Sequence, residues 1–267
     1  MNNPSDFLKF SIDVAKEAGK IQMSYFGNIS ALDKKSTNID LLTEADKKSE
    51  QYIIEKISSK FSEHSILSEE FGESDKSSNY KWVIDPLDGT TNFVHNLPIF
   101  AVSIGLVKNN KTISAVVYNP AADKCFYAED KKGAYLNNKT INITSSVTLS
   151  DSLIATGFPY LHDDKYELSF EIFKEFYGLT RGIRRLGAAS LDLCFVAMGR
   201  FDGFYEFELK PWDICAGSLI VKEAGGIVTD WNNNKLCSSG IRILADNGKI
   251  HDEMVQVLSS EKYEIFF

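Results

Sequence analysis

Apolar residues recur at steps of three and four near the start of the chain. Phe7, Phe10, Val14, Ala18 and Ile21 follow this spacing. On a helix with 3.6 residues per turn, such positions share one face. The pattern therefore predicts an amphipathic helix over residues 5–26 that packs as an outer layer.

A second helical pattern covers residues 44–61. Ala45, Tyr52, Ile53 and Ile57 would lie on its buried side. Thr43 is a predicted N-cap, because its hydroxyl can accept a hydrogen bond from a free backbone N–H at the helix start. Asp46 would then lie in the first turn.

Short β-rich runs follow, separated by Gly, Asn, Asp and Pro. They cover residues 65–68, 81–84, 100–107, 112–118 and 124–128. We expect these runs to form one antiparallel meander, with hairpin connections at 107–111 and 120–123.

After about residue 150 the alternations become longer. Helices are predicted near residues 164–177, 189–198, 213–224 and 247–258, with strands between them, one at 203–207. Residues 144–152 are rich in Ser and Thr and form a weak boundary. We expect a single domain over residues 1–267, with two packed halves at about 1–147 and 148–267.

Composition excludes several classes of protein. The chain has 267 residues, of which 43% are hydrophobic and 25% charged, which is typical of a folded globular protein. No run approaches about 18 consecutive apolar residues, so no membrane span is expected. The formal net charge of −8 disfavours binding to nucleic acid.

The N-terminal residues and the cysteines suggest a cellular compartment for the protein. Residues 1–10 lack the basic segment and apolar run of a secretory signal. The four cysteines, Cys125, Cys194, Cys215 and Cys237, show no paired short spacing, which favours reduced thiols over disulfides or a zinc site. A cytoplasmic location is expected.

The stretch 82–93 carries the strongest chemical signal. An apolar strand delivers two carboxylates three residues apart, Asp85 and Asp88, at a turn containing Pro86. Proline fixes its own φ and should stop the strand there, which would let the carboxylates converge. Hard oxygen ligands of this kind suit Mg²⁺. Gly89 and the helix start after it could hold a phosphate on free backbone N–H groups.

Each acidic feature also has a plain structural interpretation. Asp88 could cap the helix that follows it, and Asp85 could be an ordinary turn residue. Glu69, which ends the strand at 65–68, could be a solvated surface residue. Asp213 follows Trp212 at a helix start, where an aspartate usually serves as a cap. The combination of the features is therefore more informative than any one of them.

Together, the motifs resemble the signatures of the inositol monophosphatase family. The resemblance rests on the following segments, in family order from Lys35 to Gly226: Glu69-Glu70, Asp85 to Asn92, Trp212 to Gly217, and Glu223 to Gly226. It implies an α+β fold, a layered αβαβα sandwich of the inositol monophosphatase and fructose-1,6-bisphosphatase type. It also implies a Mg²⁺-dependent, lithium-sensitive phosphoric monoester hydrolase that forms a homodimer.

The resemblance also implies a set of metal ligands. Glu69, Asp85 and the Leu87 carbonyl would hold a first Mg²⁺. Asp85, Asp88 and Asp213 would hold a second, and Glu69 could support a third. Two such ions clamp the attacking and leaving oxygens of the reaction.

Catalytic and substrate residues are assigned from the same resemblance. Thr90, oriented by Asp46, would lie next to the attacking water, with Glu69 also catalytic. Asp46 alone could merely stabilise its helix through the macrodipole. The residues expected to bind phosphate or substrate are Lys35, Gly89, Thr90, Thr91, Gly187, Ala188, Ala189, Glu206 and Asp213. The family often has Ser or Thr where Ala188 stands, with Ser190 two places later.

The expected reaction is the hydrolysis of myo-inositol 1-phosphate, or a similar phosphorylated polyol, to the alcohol and phosphate. The run from Asn92 to Pro98 resembles the inositol monophosphatase branch, whereas nucleotide 3′-phosphatase relatives tend to carry Lys-Glu-Phe there. Fructose-1,6-bisphosphatase or nucleotide 3′-phosphatase activity is the alternative within the superfamily. A binding or regulatory protein without catalysis is the alternative from another class.

Overall fold

The computed structural model describes residues 4–27, 32–34, 41–159, 164–236 and 242–266. The predicted substrate residue Lys35 and the cysteine Cys237 lie outside the described residues. Within these ranges, no helix is long and apolar enough to cross a bilayer.

The helices agree closely with the sequence periodicity. They are α1 (Asp6–Tyr25), α2 (Glu44–Lys60), α3 (Thr90–Val94), α4 (Asp164–Leu179), α5 (Ala189–Ala197), α6 (Pro211–Glu223) and α7 (His251–Leu258). Helix α6 starts two residues before the predicted 213, because Pro211 occupies the first helical position, where proline is favoured. Helix α7 starts four residues after the predicted 247, because the Asn247 side chain accepts hydrogen bonds from the N–H groups of Lys249 and Ile250 in a turn.

The strands form three sheets. They are β1 (Leu32–Lys34), β2 (Leu41–Thr43), β3 (Ser65–Ser68), β4 (Gly72–Ser74), β5 (Tyr80–Asp88), β6 (Ala101–Lys108), β7 (Lys111–Asn119), β8 (Lys124–Glu129), β9 (Ala134–Leu136), β10 (Lys139–Thr140), β11 (Leu153–Thr156), β12 (Gly182–Arg184), β13 (Gly203–Phe207), β14 (Ile227–Thr229) and β15 (Arg242–Asp246). Strands β1 and β2 pair only with each other among the described residues.

The first large sheet corrects one prediction. Its strand order is β10-β9-β8-β7-β6-β5-β3-β4, and β5 to β8 form the expected antiparallel meander, which the unpredicted β9 and β10 extend. Strand β3, however, runs parallel to β5. The reason is that β4 folds back along one edge of β3, and the chain then reverses again before β5 pairs with the other edge. Two reversals leave β3 and β5 pointing the same way.

Pro86 does not end its strand, contrary to the prediction. Strand β5 continues to Asp88, and its pairing with β6 shifts between Asp85, opposite Ser103, and Asp88, opposite Ala101. The three residue steps from Asp85 to Asp88 on β5 therefore lie opposite only two residue steps, from Ser103 to Ala101, on β6. An extra residue of this kind in one strand is a β-bulge. Proline is tolerated at a bulge because the missing N–H removes no ladder hydrogen bond.

The elements stack in five layers, which confirms the αβαβα prediction. Helices α1 and α2 pack on one face of the eight-stranded sheet, and α5 and α6 pack on its other face. The opposite side of α5 and α6 contacts a five-stranded sheet of order β12-β11-β13-β15-β14. Helices α4 and α7 cover the far face of that second sheet.

The central helix layer lies unusually close to the first sheet. A Cβ built on Gly105 of β6 would lie 2.5 Å from the Cys215 sulfur of α6. Only glycine allows this approach. The start of α6 is thereby held against the sheet two residues after Asp213.

Candidate active site

A cavity of about 620 Å³ opens where the two large sheets meet the central helix layer. Of the predicted site residues, the following line it: Glu69, Asp85, Leu87, Asp88, Gly89, Thr90, Thr91, Gly187, Ala188, Ala189, Glu206 and Asp213. They come from the ends of β3 and β5, from β13, and from the starts of α3, α5 and α6. Residues separated by more than a hundred positions in the chain thus share one cavity.

The bulge at the end of β5 is held by several hydrogen bonds. The Leu87 N–H donates to Asp85 Oδ1 at 2.9 Å, and the Thr90 hydroxyl donates to the Leu87 carbonyl at 3.1 Å. From behind, the buried Gln22 of α1 donates its Nε2 to the Pro86 carbonyl at 2.5 Å. These contacts fix the direction of the Asp85 carboxylate.

Gly89 is required by the geometry of the turn that follows. Its φ of 90° lies in the left-handed region, and a Cβ there would lie 2.8 Å from the Ile99 carbonyl oxygen. A residue with a side chain would be strained twice over. The glycine lets β5 turn directly into α3 and brings Thr90 and Thr91 to the cavity wall.

Asp88 does cap a helix, but not the predicted one. The N-cap of α3 is Gly89, which makes no side-chain cap. Instead, Asp88 Oδ2 accepts hydrogen bonds from the Ser190 N–H, at 2.8 Å, and from the Ser190 hydroxyl in the first turn of α5. Ser190 is fully buried. Its hydroxyl is therefore committed to Asp88.

Asp213 serves as a helix cap, as its plain interpretation predicts, while it also lines the cavity. It occupies the third position of α6, and its Oδ2 accepts a hydrogen bond from the Lys210 N–H at 2.6 Å. A cap of this kind leaves the second carboxylate oxygen available for other ligands.

The carboxylates perturb one another strongly. Burial, followed by the charges of Glu69, Asp88, Asp213 and Asp46, raises the pKa of Asp85 well above its usual range. Burial raises the pKa of Asp213 to about 8, although the Lys210 N–H acts in the opposite direction. A nearby divalent cation would reverse these shifts, because it favours the ionised form.

The chemistry of these donors fits Mg²⁺, which prefers oxygen ligands. The side chains are not arranged as a metal site: within the described ranges, no three or more His, Cys, Asp or Glu side chains are grouped so that they could hold a metal ion. Like charges repel, and both Asp88 and Asp213 turn towards helix starts. Binding a cation would therefore require side-chain rotations, and the ligand assignments stay a prediction.

The structure shows only part of the predicted catalytic arrangement of Asp46 and Thr90. Asp46 is buried in the first turn of α2, and its charge acts on Asp85. It does not line the cavity. The Thr90 hydroxyl donates to the Leu87 carbonyl. Water activation by Thr90 and Asp46 stays a prediction.

Glu206 forms the opposite wall of the cavity. Its carboxylate folds over Gly157, where a Cβ would lie 1.9 Å from Glu206 Oε1. Burial raises the pKa of Glu206 to about 8, and the positive charge of Arg185 opposes that shift. Arg185 in turn lies over Gly187, where a Cβ would lie 2.4 Å from one of its guanidinium nitrogens.

Sequence reasoning missed several residues that line the cavity, among them Gly157, Phe158, Lys165, Arg185, Lys210 and Trp212. Two signals could have revealed some of them. Gly157 and Phe158 directly follow β11, which runs parallel to β13, and loops at the carboxyl ends of parallel strands commonly form sites. Arg185 lies two residues before the predicted Gly187.

Comparison with known proteins now decides the family. The model of the inositol monophosphatase family matches residues 3–263. The chain belongs to the inositol monophosphatase family. The resemblance of its motifs is thereby confirmed.

Three similar proteins illustrate the range of the family. The chain is 42% identical to the putative Nus factor SuhB of Neisseria meningitidis, over 95% of this chain and 98% of that protein. It is 38% identical to the fructose-1,6-bisphosphatase/inositol-1-monophosphatase of Aquifex aeolicus, over 98% of each chain. The solved structure of an inositol monophosphatase (IMPase) of Thermotoga maritima superposes with a TM-score of 0.90 at 35% identity, covering 98% of this chain and all of that one. Membership of this family supports phosphatase activity.

Proposed function

We propose that the protein hydrolyses a small phosphorylated polyol, foremost myo-inositol 1-phosphate, in a Mg²⁺-dependent reaction. The observation that carries this proposal is the shared cavity of Glu69, Asp85, Asp88 and Asp213. Four carboxylates in one cavity repel one another, and burial together with these neighbouring charges raises the pKa of Asp85. A site of this kind is suited to divalent cations that bring a phosphate among the acids.

The residues of the chain have distinct roles in this proposal. Glu69, Asp85, Asp88, Asp213 and the Leu87 carbonyl would hold two Mg²⁺ ions, with Glu69 supporting a third. When bound, such ions neutralise phosphate charge and acidify water.

The phosphate would lie against the start of α3, where Gly89, Thr90 and Thr91 line the cavity and Gly89 leaves room for a close approach of the backbone. The Thr90 hydroxyl, oriented by Asp46, would form a hydrogen bond with the attacking water. Lys35 would assist near the phosphate.

The polyol would lie on the other side of the cavity. Glu206, which lines the cavity together with Gly187, Ala188 and Ala189, would accept hydrogen bonds from ring hydroxyls. Ser190 is excluded from this role because its hydroxyl is buried on Asp88. The ring would therefore be recognised chiefly by one carboxylate and by backbone groups.

A substrate panel assayed with and without a chelator tests the proposal. We expect release of phosphate from myo-inositol 1-phosphate that requires added Mg²⁺ and stops with the chelator. Equal turnover in the presence of excess chelator would refute the metal requirement. Higher kcat/KM on a nucleotide 3′-phosphate would refute the substrate class.

Fructose 1,6-bisphosphate is the second candidate substrate. Arg185, Lys165 and Lys210 line the same cavity as the acids and could attract a second anionic group. The Aquifex relative carries both activities in its name. A higher kcat/KM on fructose 1,6-bisphosphate than on myo-inositol 1-phosphate in the same panel would favour this alternative.

A binding role without catalysis remains the alternative from another class, and the name of the Neisseria relative describes that protein as a putative Nus factor. For this chain we propose an active enzyme, since the acidic set is complete. Silence on every phosphomonoester at abundant Mg²⁺ would support the binding role.

We further propose a cytoplasmic homodimer that is inhibited by lithium and has no nucleic-acid partner. The net charge of −8 supports the last point. Analytical ultracentrifugation, a lithium titration of the activity and a filter-binding assay with RNA and DNA test these properties in turn.

A further inference from the structure

Glu50 makes an unusual set of contacts behind the cavity. It lies on α2, one turn after Asp46, and is only 7% exposed. A single oxygen, Oε1, accepts hydrogen bonds from the Ser68 hydroxyl, from the Glu70 N–H at 3.1 Å and from the Phe71 N–H at 2.9 Å. One carboxylate thereby holds the whole connection between β3 and β4.

The three donors lie on both sides of Glu69. Ser68 precedes it at the end of β3, and Glu70 and Phe71 follow it in the turn before Gly72, which adopts a left-handed φ of 80°. Ser68 is itself fixed between Ile84 of β5 and Gly72 of β4. The backbone at Glu69 is therefore held on both sides, while Glu69 itself lines the cavity.

Glu50 cannot touch the substrate itself, because it does not line the cavity. It acts instead on the backbone on both sides of Glu69, which does line the cavity. Glu50 can therefore affect the direction of the Glu69 side chain without touching a ligand.

We propose that Glu50 is a positioning residue that directs the Glu69 carboxylate into the cation site; this inference rests on the proposed function. Groups behind a metal ligand typically change cation affinity by about 10- to 100-fold when removed. Glu50 would act only through Glu69. Its loss should then have no further effect once Glu69 can no longer serve as an ionised ligand.

Cation binding measured by calorimetry tests this directly, with Mn²⁺ as the probe and the full chain in every case. Glu50→Leu should weaken Mn²⁺ binding about 10- to 100-fold. Glu50→Gln keeps an acceptor oxygen for the three donors and should stay within about 3-fold of wild type. The double variant of Glu50→Leu with Glu69→Gln should bind no more than about 2-fold more weakly than Glu69→Gln alone.

Glu223 provides a matched control. This glutamate of α6 accepts hydrogen bonds from the N–H groups of Lys131 and Gly133, both at 2.7 Å, and so holds a connection that does not line the cavity. Glu223→Leu should lower the melting temperature without changing Mn²⁺ affinity. An equal loss of affinity in Glu223→Leu and Glu50→Leu would show a general effect of stability and overturn the proposal.

Other outcomes are equally decisive. Wild-type Mn²⁺ affinity in Glu50→Leu would overturn the positioning role. It would also be overturned if the loss of affinity in the double variant equalled the product of the losses in Glu50→Leu and Glu69→Gln. If Glu50→Leu does not fold, Ser68→Ala removes one donor and should weaken Mn²⁺ binding several-fold, but only while Glu69 is intact; unchanged affinity would overturn the proposal. A wild-type protein that neither binds Mn²⁺ nor hydrolyses any phosphomonoester would refute the proposed function, and with it this inference.

Discussion

Gly157→Ala is a small substitution with a large predicted effect. The added Cβ would lie 1.9 Å from Glu206 Oε1 and 2.1 Å from the carboxyl carbon, whereas ordinary van der Waals contact begins near 3.4 Å. The Glu206 carboxylate must therefore move by about 1.5 Å. The backbone at Gly157 is not in the left-handed region, so alanine itself is tolerated there.

The expected magnitude follows from the role of Glu206. The assay is run at pH 9, above the pKa of about 8 to which burial raises Glu206, so that its carboxylate is ionised. A hydrogen bond to a charged group contributes about 1.5–3 kcal/mol, and about 1.4 kcal/mol corresponds to a tenfold change. Displacing the carboxylate should thus lower kcat/KM on myo-inositol 1-phosphate by about 10- to 100-fold. An aryl phosphate without ring hydroxyls, such as 4-nitrophenyl phosphate, should lose less than about 3-fold.

Steady-state kinetics on both substrates at saturating Mg²⁺ provide the assay. Gly178→Ala is the control, because no atom lies within 4 Å of its added Cβ at the end of α4. It should leave both values of kcat/KM at the wild-type level. Equal losses on the two substrates in Gly157→Ala, or no loss on myo-inositol 1-phosphate, would refute a role of Glu206 in recognising the polyol.

Three further predictions concern Asp85, Thr90 and Asp213, which line the cavity. Asp85→Asn should lower kcat by about 10³-fold or more while circular dichroism stays native, because it removes a shared ligand; normal turnover would exclude a bridging role. Thr90→Ala should lose less than Asp85→Asn in the same phosphate-release assay, and full activity would count against the hydroxyl. Because the pKa of Asp213 is raised to about 8 in the folded protein, the folded state keeps a proton that the unfolded chain releases near pH 4, and stability falls as pH rises between these values. Without Mg²⁺, the melting temperature at pH 8 should be at least about 4 °C below that at pH 5.5, and saturating Mg²⁺ should reduce the difference; equal melting temperatures at the two pH values would contradict the raised pKa.

Local patterns predicted most of the secondary structure. Helix α1 has nearly the predicted bounds, because its apolar spacing has one clear period, and strand β13 has the predicted bounds 203–207. The direction of β3 could not be read in the same way. It depends on β4, a three-residue strand whose sequence Gly-Glu-Ser has no apolar residue to reveal it.

The sequence predicted many of the residues that line the cavity, but not their contacts. Separate acidic motifs pointed to one cavity, and the structure brings Glu69, Asp85 and Asp213 to it. That Asp88 would pair with Ser190, 102 residues away, depends on how α5 docks at the end of β5. The spacing of residues along the sequence contains no information on how α5 docks. It contains none on the position of Arg185 either.

Two of the cavity acids, Asp88 and Asp213, are partnered by backbone N–H groups at helix starts. Asp88 accepts from the start of α5 and Asp213 from the start of α6, where aligned peptide groups present partial positive charge. These helix ends compensate part of the negative charge before any ion arrives. In the proposed function, cations would therefore bind to two acids that already have partners at helix starts, rather than to bare carboxylates.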